Sequence, residues 1–333
     1  MIRAVAPGRV NLIGDHTDYT GGLVLPMAID RATVVEGNRG GDSIEIDSRE
    51  LGGHVSVMLP ADHADPHGPE WGRYVSAVAG LVKPREGLTA TISTDIPVGG
   101  GLSSSAALEV ALALALGADP DPVTLAGLCQ RAENIATGVP TGIMDQMCIL
   151  SATEGNATLI DCSSLSVEHV PVPEDVAIVV RFVAHRTLEG SAYADRVEEC
   201  RRAEDEIGPL RAAGVEDTVR ITDSVIRARA RHVVTENDRV LRFADAMRRG
   251  DWAAAGQLMT ESHRSLAADY GVSTAGMDSA VAGMLATPGV LGSRMTGGGF
   301  GGCIVSLCRP DADVPGWHVR AAAGASVVSR DQR

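Results

Sequence analysis

Three consecutive glycines, Gly99, Gly100 and Gly101, followed by Leu102 and the hydroxyls of Ser103, Ser104 and Ser105, form the stretch of this sequence best suited to hold an anion. Glycine lets a backbone approach a phosphate closely, and amides at the start of a following helix would aim their N–H groups at it. Read alone, the same stretch also describes an ordinary glycine turn with a serine cap. Asp15-His16-Thr17-Asp18 sets two carboxylates and an imidazole in one polar turn, which reads either as metal ligands or as a polar turn and nothing more. Asp145 follows Gly142-Ile143-Met144 near the start of a helical run, and a last glycine-rich loop runs from Thr296 to Gly302. His63 and His67 are four apart, but Pro66 lies between them in a loop of Asp and Ala, so they read as solvated surface.

Lysine usage narrows the phosphate chemistry. Lys83 is the only lysine in the chain and stands between Val82 and Pro84, so a GxxxxGK[ST] loop is excluded. The strand lysine of protein kinases is excluded with it, as is a Schiff-base lysine elsewhere. A phosphate site here must use backbone amides and arginine.

The elements that would position these groups are legible as strand, loop and helix. Ala4 to Met27 reads as a strand, the polar Asp15–Asp18 turn, Gly21-Gly22 and a second apolar strand. A strand from Ala90 to Ile96 runs through Pro97 into the glycine loop and then an Ala/Leu helix ending near Gly117. That helix is apolar all round apart from Glu109, which predicts that it is buried and that its amino end faces an interior cleft. Helical runs follow over Thr124 to Thr137 and from Ile143, strands over Ala177 to Val183 and Cys303 to Leu307, and a helix of alternating charge from Tyr193 to Ile207.

At 333 residues and 44% hydrophobic, the chain can bury a sizeable core and its length suggests two domains. A net charge of −14 argues against a nucleic-acid backbone as partner. With three Trp, four Tyr and three Phe, stacking platforms are scarce, so a sugar would be held by hydrogen bonds. Cys129, Cys148, Cys162, Cys200, Cys303 and Cys308 form no CxxC pair, and no leader precedes Pro7; reduced thiols and a cytoplasmic protein are expected. The most lipid-like stretch, Val110 to Ala118, falls well short of the roughly 20 residues a membrane span needs.

Taken together and in order, Pro7 to Tyr19, Pro97 to Leu108 and Gly292 to Cys303 resemble the three motifs of the GHMP kinases, and the first, running on to Ala28, is similar to the galactokinase signature. The similarity extends to Trp71-Gly72-Arg73-Tyr74-Val75, Gly142-Ile143-Met144-Asp145-Gln146, Leu159-Ile160-Asp161-Cys162, Arg231-His232-Val233-Val234 and Glu261 to Leu266. The resemblance implies a two-lobed α+β fold, with a ribosomal-S5-domain-2-like lobe over 1–165, a ferredoxin-like lobe over 166–333 and the active site in the cleft. It implies ATP and Mg2+, a small sugar as the other partner, neither nucleic acid nor membrane, and a monomer or weak homo-oligomer. On the family pattern Asp145 accepts or orients the acceptor hydroxyl and Arg9 stands beside it. Asp15, His16, Asp18, Gly142 and Tyr193 match the sugar contacts, and Gly99 to Ser105 the phosphate contacts. Ser105 and Glu133 match the magnesium-binding pair; alone, Glu133 would read as a solvated helix charge. Trp71 matches an aromatic near the adenine, and packing of a large ring explains it as readily.

Three departures bear on the substrate. Asp15 replaces a Glu whose extra methylene reaches the sugar's distal hydroxymethyl group, and Val180 to Arg186 replaces an Asn-Ser-containing stretch. The short segment before Pro7 is expected to leave out an edge strand or part of the sugar pocket. The implied reaction is transfer of the γ-phosphoryl of ATP to the anomeric hydroxyl of galactose. The alternatives are a 1-kinase for another hexose, an N-acetylhexosamine or a uronic acid, and, more remotely, a non-catalytic sugar sensor.

Overall fold

A computed structural model of the chain describes residues 1–61, 68–118, 121–185 and 191–329. His63, His67 and Arg186 lie outside the described residues. In the first lobe β1 (Ile2–Ile13) pairs antiparallel with β2 (Leu23–Arg39), and Gly21 in a left-handed conformation turns the chain between them. Leu23 to Ile29 is buried without interruption, and from Asp30 exposure begins to return, so the long strand starts inside the molecule and ends at its surface. The hairpin β3 (Ser43–Ser48) and β4 (His54–Met58) follows, then α1 (Gly72–Val82) and β5 (Leu88–Thr94), which pairs with β2 and, in parallel, with β3.

α2 (Ser104–Leu116) is buried from Ala106 to Leu116, Glu109 included, as its all-round apolar sequence predicts. Gly117, at φ 94°, ends it. α3 (Pro122–Thr137) starts on a capping Asp121 with Pro122 in its first turn and stops at Gly138, and α4 (Met144–Ser151) carries Asp145 in its own first turn. β6 (Asn156–Asp161) and β7 (Ser166–Pro171) form a hairpin joined to β2. Both strands thus extend the first sheet, and a division at 165/166 falls in the turn between them.

β8 (Ala177–Ala184) opens the second lobe, followed by α5 (Ser191–Ile207), α6 (Val215–Thr218), α7 (Ser224–Arg249), α8 (Trp252–Ser265), a π-helical turn over Leu266–Tyr270, and α9 (Ala275–Leu285). Side-chain caps at Asp223, Asp251 and Thr274 begin α7, α8 and α9. β9 (Val290–Met295), β10 (Gly302–Cys308) and β11 (Trp317–Val319) complete an antiparallel sheet in the order β11-β8-β10-β9. The chain then returns, and β12 (Ser326–Ser329) pairs antiparallel with Ile2 to Val5 of β1. The position beside β1 is therefore filled from the far end of the chain. Among the described residues no helix is long and apolar enough to cross a membrane, and no disulfide joins any of the six cysteines.

α8 lies on β9 at a distance only glycine permits. A methyl on Gly256 would stand 2.1 Å from the Leu291 carbonyl oxygen, and one on Gly292 would stand 2.1 Å from that of Gly256. Gly256→Ala is expected to lower the urea-unfolding free energy by about 1–3 kcal/mol, because backbone rather than a side-chain tip must yield. An unchanged midpoint and slope would show that the helix does not sit so close.

Candidate active site

The three glycine-bearing segments meet in one cleft of about 910 Å3 between the lobes. Gly99 and Gly101 adopt positive φ, and Ser103, at φ 60°, is the residue before α2. The helix amino end and its free amides therefore open onto the cleft, an arrangement that favours an anion. β1 backs this loop closely. Arg9 N donates to the Leu102 carbonyl at 3.1 Å, and a Cβ on Gly8 would come within 2.9 Å of that same oxygen. Gly99, Gly101, Ser103, Ser104 and Ser105 line the cleft; Gly100 and Leu102 do not. Leu102 is buried in the core, and Gly100 packs toward Cys303.

Arg9 and Asp145 form a two-pronged ion pair, with Nε to Oδ1 and Nη2 to Oδ2 both at 2.6 Å. Nη1 donates to the Gly101 carbonyl at 2.6 Å, and Ser103 Oγ donates to Asp145 Oδ2. Burial acts to lower the Arg9 pKa, but the charge and hydrogen bonds of Asp145, joined by the Asp15 charge, together more than offset it and the guanidinium is held above its ordinary value. A carboxylate offers about four lone-pair sites, and among the described residues these bonds occupy one on Oδ1 and two on Oδ2. The remaining site on Oδ1 can accept from a substrate hydroxyl, since Asp145 lines the cleft.

Asp15, His16, Asp18, Gly142 and Tyr193 come together at one end. A Cβ on Gly142 would sit 1.8 Å from Asp18 Oδ2, so any other residue there would push the Asp18 carboxylate aside, and the Gly142 N–H donates to the Tyr193 hydroxyl. Asp18 accepts from the Tyr19 and Met144 amides; burial first, and then the Asp145 charge, raise its pKa to about 7. His16, at φ 65°, donates or accepts through Nδ1 with the Tyr19 hydroxyl at 2.9 Å and lies 5.5 Å, ring to ring, from Tyr193. Asp15 lines the same wall but is almost fully buried, with Oδ2 2.6 Å from Arg294 Nη2 and Oδ1 accepting from Gly297 N at 3.0 Å.

Leu51, Trp71, Tyr74, Ile92 and Leu108 also line the cleft and supply an apolar wall suited to a flat heterocycle. Trp71 serves packing as well, since it is mostly buried and its indole N–H donates to the Gly52 carbonyl at 3.0 Å. At the start of α2, Ser105 Oγ donates to Glu133 Oε1 at 2.8 Å and Gln146 Nε2 donates to Oε2 at 2.9 Å. Glu133 is buried, not a solvated helix charge; burial and then Asp145 raise its pKa. Behind it Glu109 is fully buried and held well above the carboxylate range by burial and by Glu133. The residues fit a magnesium ion: hard oxygen donors sit beside the phosphate loop, and the nearest cation, Arg9, is committed to Asp145. Among the described residues no group of three metal-binding side chains occurs.

Residue-type reasoning missed Arg294, Glu236 and the tyrosine cluster. Arg294 sits within the third motif, but nothing local distinguishes it from a surface arginine. Tyr19 and Tyr270 hydroxyls are 2.5 Å apart, and Tyr270 also meets Cys200 Sγ at 3.1 Å. With Tyr193 they place three of the chain's four tyrosines around His16.

Comparison with known proteins gives matches to three family profiles: "Galactokinase galactose-binding signature" over residues 2–39, "GHMP kinases N terminal domain" over 73–153 and "GHMP kinases C terminal" over 243–315. The galactokinase of Homo sapiens is 42% identical over 92% of this chain and 83% of that protein. That of Chloroflexus aggregans is also 42% identical, over 92% of this chain and 84% of its own length. The crystal structure of Lactococcus lactis galactokinase complexed with galactose superposes with a TM-score of 0.88 at 30% identity, covering 98% of this chain and 95% of that one.

Asp18 ties the site to pH-dependent stability. The folded protein holds a proton on Asp18 up to about 7, whereas an unfolded chain releases it near the ordinary 3.8, so this contribution to stability is lost as pH rises through 7. Asp18→Asn should therefore leave the melting temperature close to wild type near about pH 4 and raise it by roughly 2 °C or more near about pH 8. A difference from wild type that is the same at both pH values would show that Asp18 does not titrate in this range.

Proposed function

The chain belongs to the galactokinase family of the GHMP kinases, and from that membership we infer that it transfers the γ-phosphoryl of ATP to the anomeric hydroxyl of galactose, giving galactose 1-phosphate. The observation that carries the reading is the Arg9–Asp145 pair, set beside the amino end of α2 and facing the same cleft as the Asp15–Asp18 turn. The curated galactokinases and the galactose-bound relative support the choice of sugar.

Phosphoryl transfer asks the protein mainly to orient two oxygens in line with phosphorus and to stabilise charge on the moving group. Backbone amides of the Gly99–Ser105 loop and the Ser104 hydroxyl hold the phosphates, and the apolar wall at Trp71 holds the adenine. Ser105 and Glu133 would hold Mg2+, which when bound neutralises phosphate oxygens and polarises the bond that breaks. Asp18, His16, Tyr193 and Asp15 bind the sugar hydroxyls, alternating acceptors with groups that can donate. The anomeric hydroxyl donates to the open site on Asp145 Oδ1, which orients its oxygen lone pair toward the γ-phosphorus and takes up its proton as the bond to phosphorus forms. Arg9 keeps that carboxylate in one orientation and lends positive charge to the transferring group.

Asp145→Asn removes the proton acceptor while keeping its shape. It is expected to lower kcat by about 10²–10⁴-fold while ATP affinity measured by calorimetry stays at the wild-type value. Persistent turnover would refute the role given to Asp145. A panel of hexoses, N-acetylhexosamines and uronic acids, assayed for ATP-dependent phosphorylation, is expected to give the highest kcat/KM with galactose; strong activity on another sugar with none on galactose would overturn the substrate.

A further inference from the structure

Arg294, the largest of the fully buried side chains, lies near the end of β9 and is wholly shielded from solvent. A guanidinium so placed must be neutralised within the fold. Its Nη1 donates to the Asn11 carbonyl at 3.2 Å, while Nη2 stands 2.6 Å from Asp15 Oδ2 and 4.0 Å from Glu236 Oε1. Glu236 is already matched: Arg239 Nε approaches Oε2 at 2.7 Å, and Gly14 N and Ser262 Oγ donate to Oε1. Burial would push Glu236 up, but Arg239, with His232 and Arg294, pulls it down to about 2. Asp15 is thus the close partner of Arg294.

The other Asp15 oxygen is anchored from the same direction, by the amide of Gly297 in the loop after β9. Both carboxylate oxygens of a first-lobe residue are therefore held by the second lobe. Thr296 reinforces the junction, donating through Oγ1 to the Asn11 carbonyl at 3.0 Å and accepting from Asn11 N at 3.1 Å. We infer that Arg294 is a positioning residue for the acceptor sugar: by pairing with Asp15 it fixes an ionised, oriented hydrogen-bond acceptor in the cleft wall, so that β9 governs how one sugar hydroxyl is read. The inference rests on the reading that Asp15 faces the sugar.

The charged and titratable groups around Asp15 make Arg294 hard to replace. Arg9 on β1 is committed to Asp145, and Asp18 in the same turn is another acid. On α7, His232 contacts the Asp15 main-chain carbonyl and is held by burial at about 4, so it is neutral at physiological pH; Arg239 faces Glu236. His263 on α8 is likewise held at about 4 by burial. Burial already raises the Asp15 pKa, and Arg294 is the chief influence opposing that rise. Loss of the cation moves it further up, so the protonated fraction grows as pH falls.

The test compares wild type with Arg294→Met, Arg294→Lys, Asp15→Asn and the double variant Asp15→Asn/Arg294→Met by steady-state kinetics between about pH 6 and pH 9. Arg294→Met is expected to raise the galactose KM by about tenfold or more, equivalent to about 1.4 kcal/mol. The ATP KM should stay within about twofold, and the sugar defect should deepen as pH falls. Arg294→Lys should recover most of the loss, and the double variant should show less than the product of the single effects. A sugar KM unchanged in Arg294→Met, or pH-independent losses shared equally by kcat and both KM values, would overturn the inference. Should Arg294→Met fail to fold, Arg294→Lys carries the comparison: a sugar KM raised about two- to threefold and worsening at low pH supports the role, and a sugar KM equal to wild type at every pH overturns it. A mistaken choice of sugar shows first in the wild type, as absent galactose turnover, and the same comparison is then made with the sugar it accepts.

Discussion

The two-pronged pairing of Arg9 with Asp145 is the constraint around which the rest of the molecule is arranged. Arg9 lies on a buried strand and cannot be left unneutralised, and removal of one member of such a pair costs about 3–5 kcal/mol. The pairing fixes β1 relative to the first turn of α4, and through Arg9 Nη1 and Arg9 N it also fixes the glycine loop. Ser103 bonds the same carboxylate from the start of α2. Loop, strand and helix are thus held in one geometry before any ligand arrives, and orientation of this kind is most of what phosphoryl transfer requires of a protein.

Around that pair the cleft gathers more acid than the fold alone would favour. Asp18 is raised to about 7, and Glu133, Glu109 and Asp15 are each raised by burial. Among the described residues Arg9 and Arg294 stand against them at close range. On the proposed function these are the acceptors a polyol and a metal would need, so binding of either would relieve an imbalance the fold maintains. Placing Arg294 behind Asp15 limits that imbalance on the sugar side.

How much of this was legible in the sequence follows from the range of the interactions. The glycine loop, the buried α2 and the polar Asp15–Asp18 turn are local patterns, and they stand where the sequence suggests. Arg9 meeting Asp145 spans 136 residues and was reachable only through a resemblance carried by ordered motifs. Arg294, Glu236 and His232 were out of reach because their partners are set by how β9 and α7 pack behind the first motif, and no spacing records that. The same holds for the edge of β1, filled by β12 from the other end of the chain. Trp71 remained double in the sequence because it is double in the structure, a core ring whose edge reaches the cleft.

The central claim is that Asp145 and Arg9 receive the anomeric oxygen of the sugar. Proton-coupled phosphorus NMR of the product formed from galactose and ATP tests it most directly. The account predicts a phosphomonoester resonance coupled to the single anomeric proton. Coupling to the two protons of the hydroxymethyl group would contradict it, since the sugar would then enter the cleft with its opposite end toward Asp145.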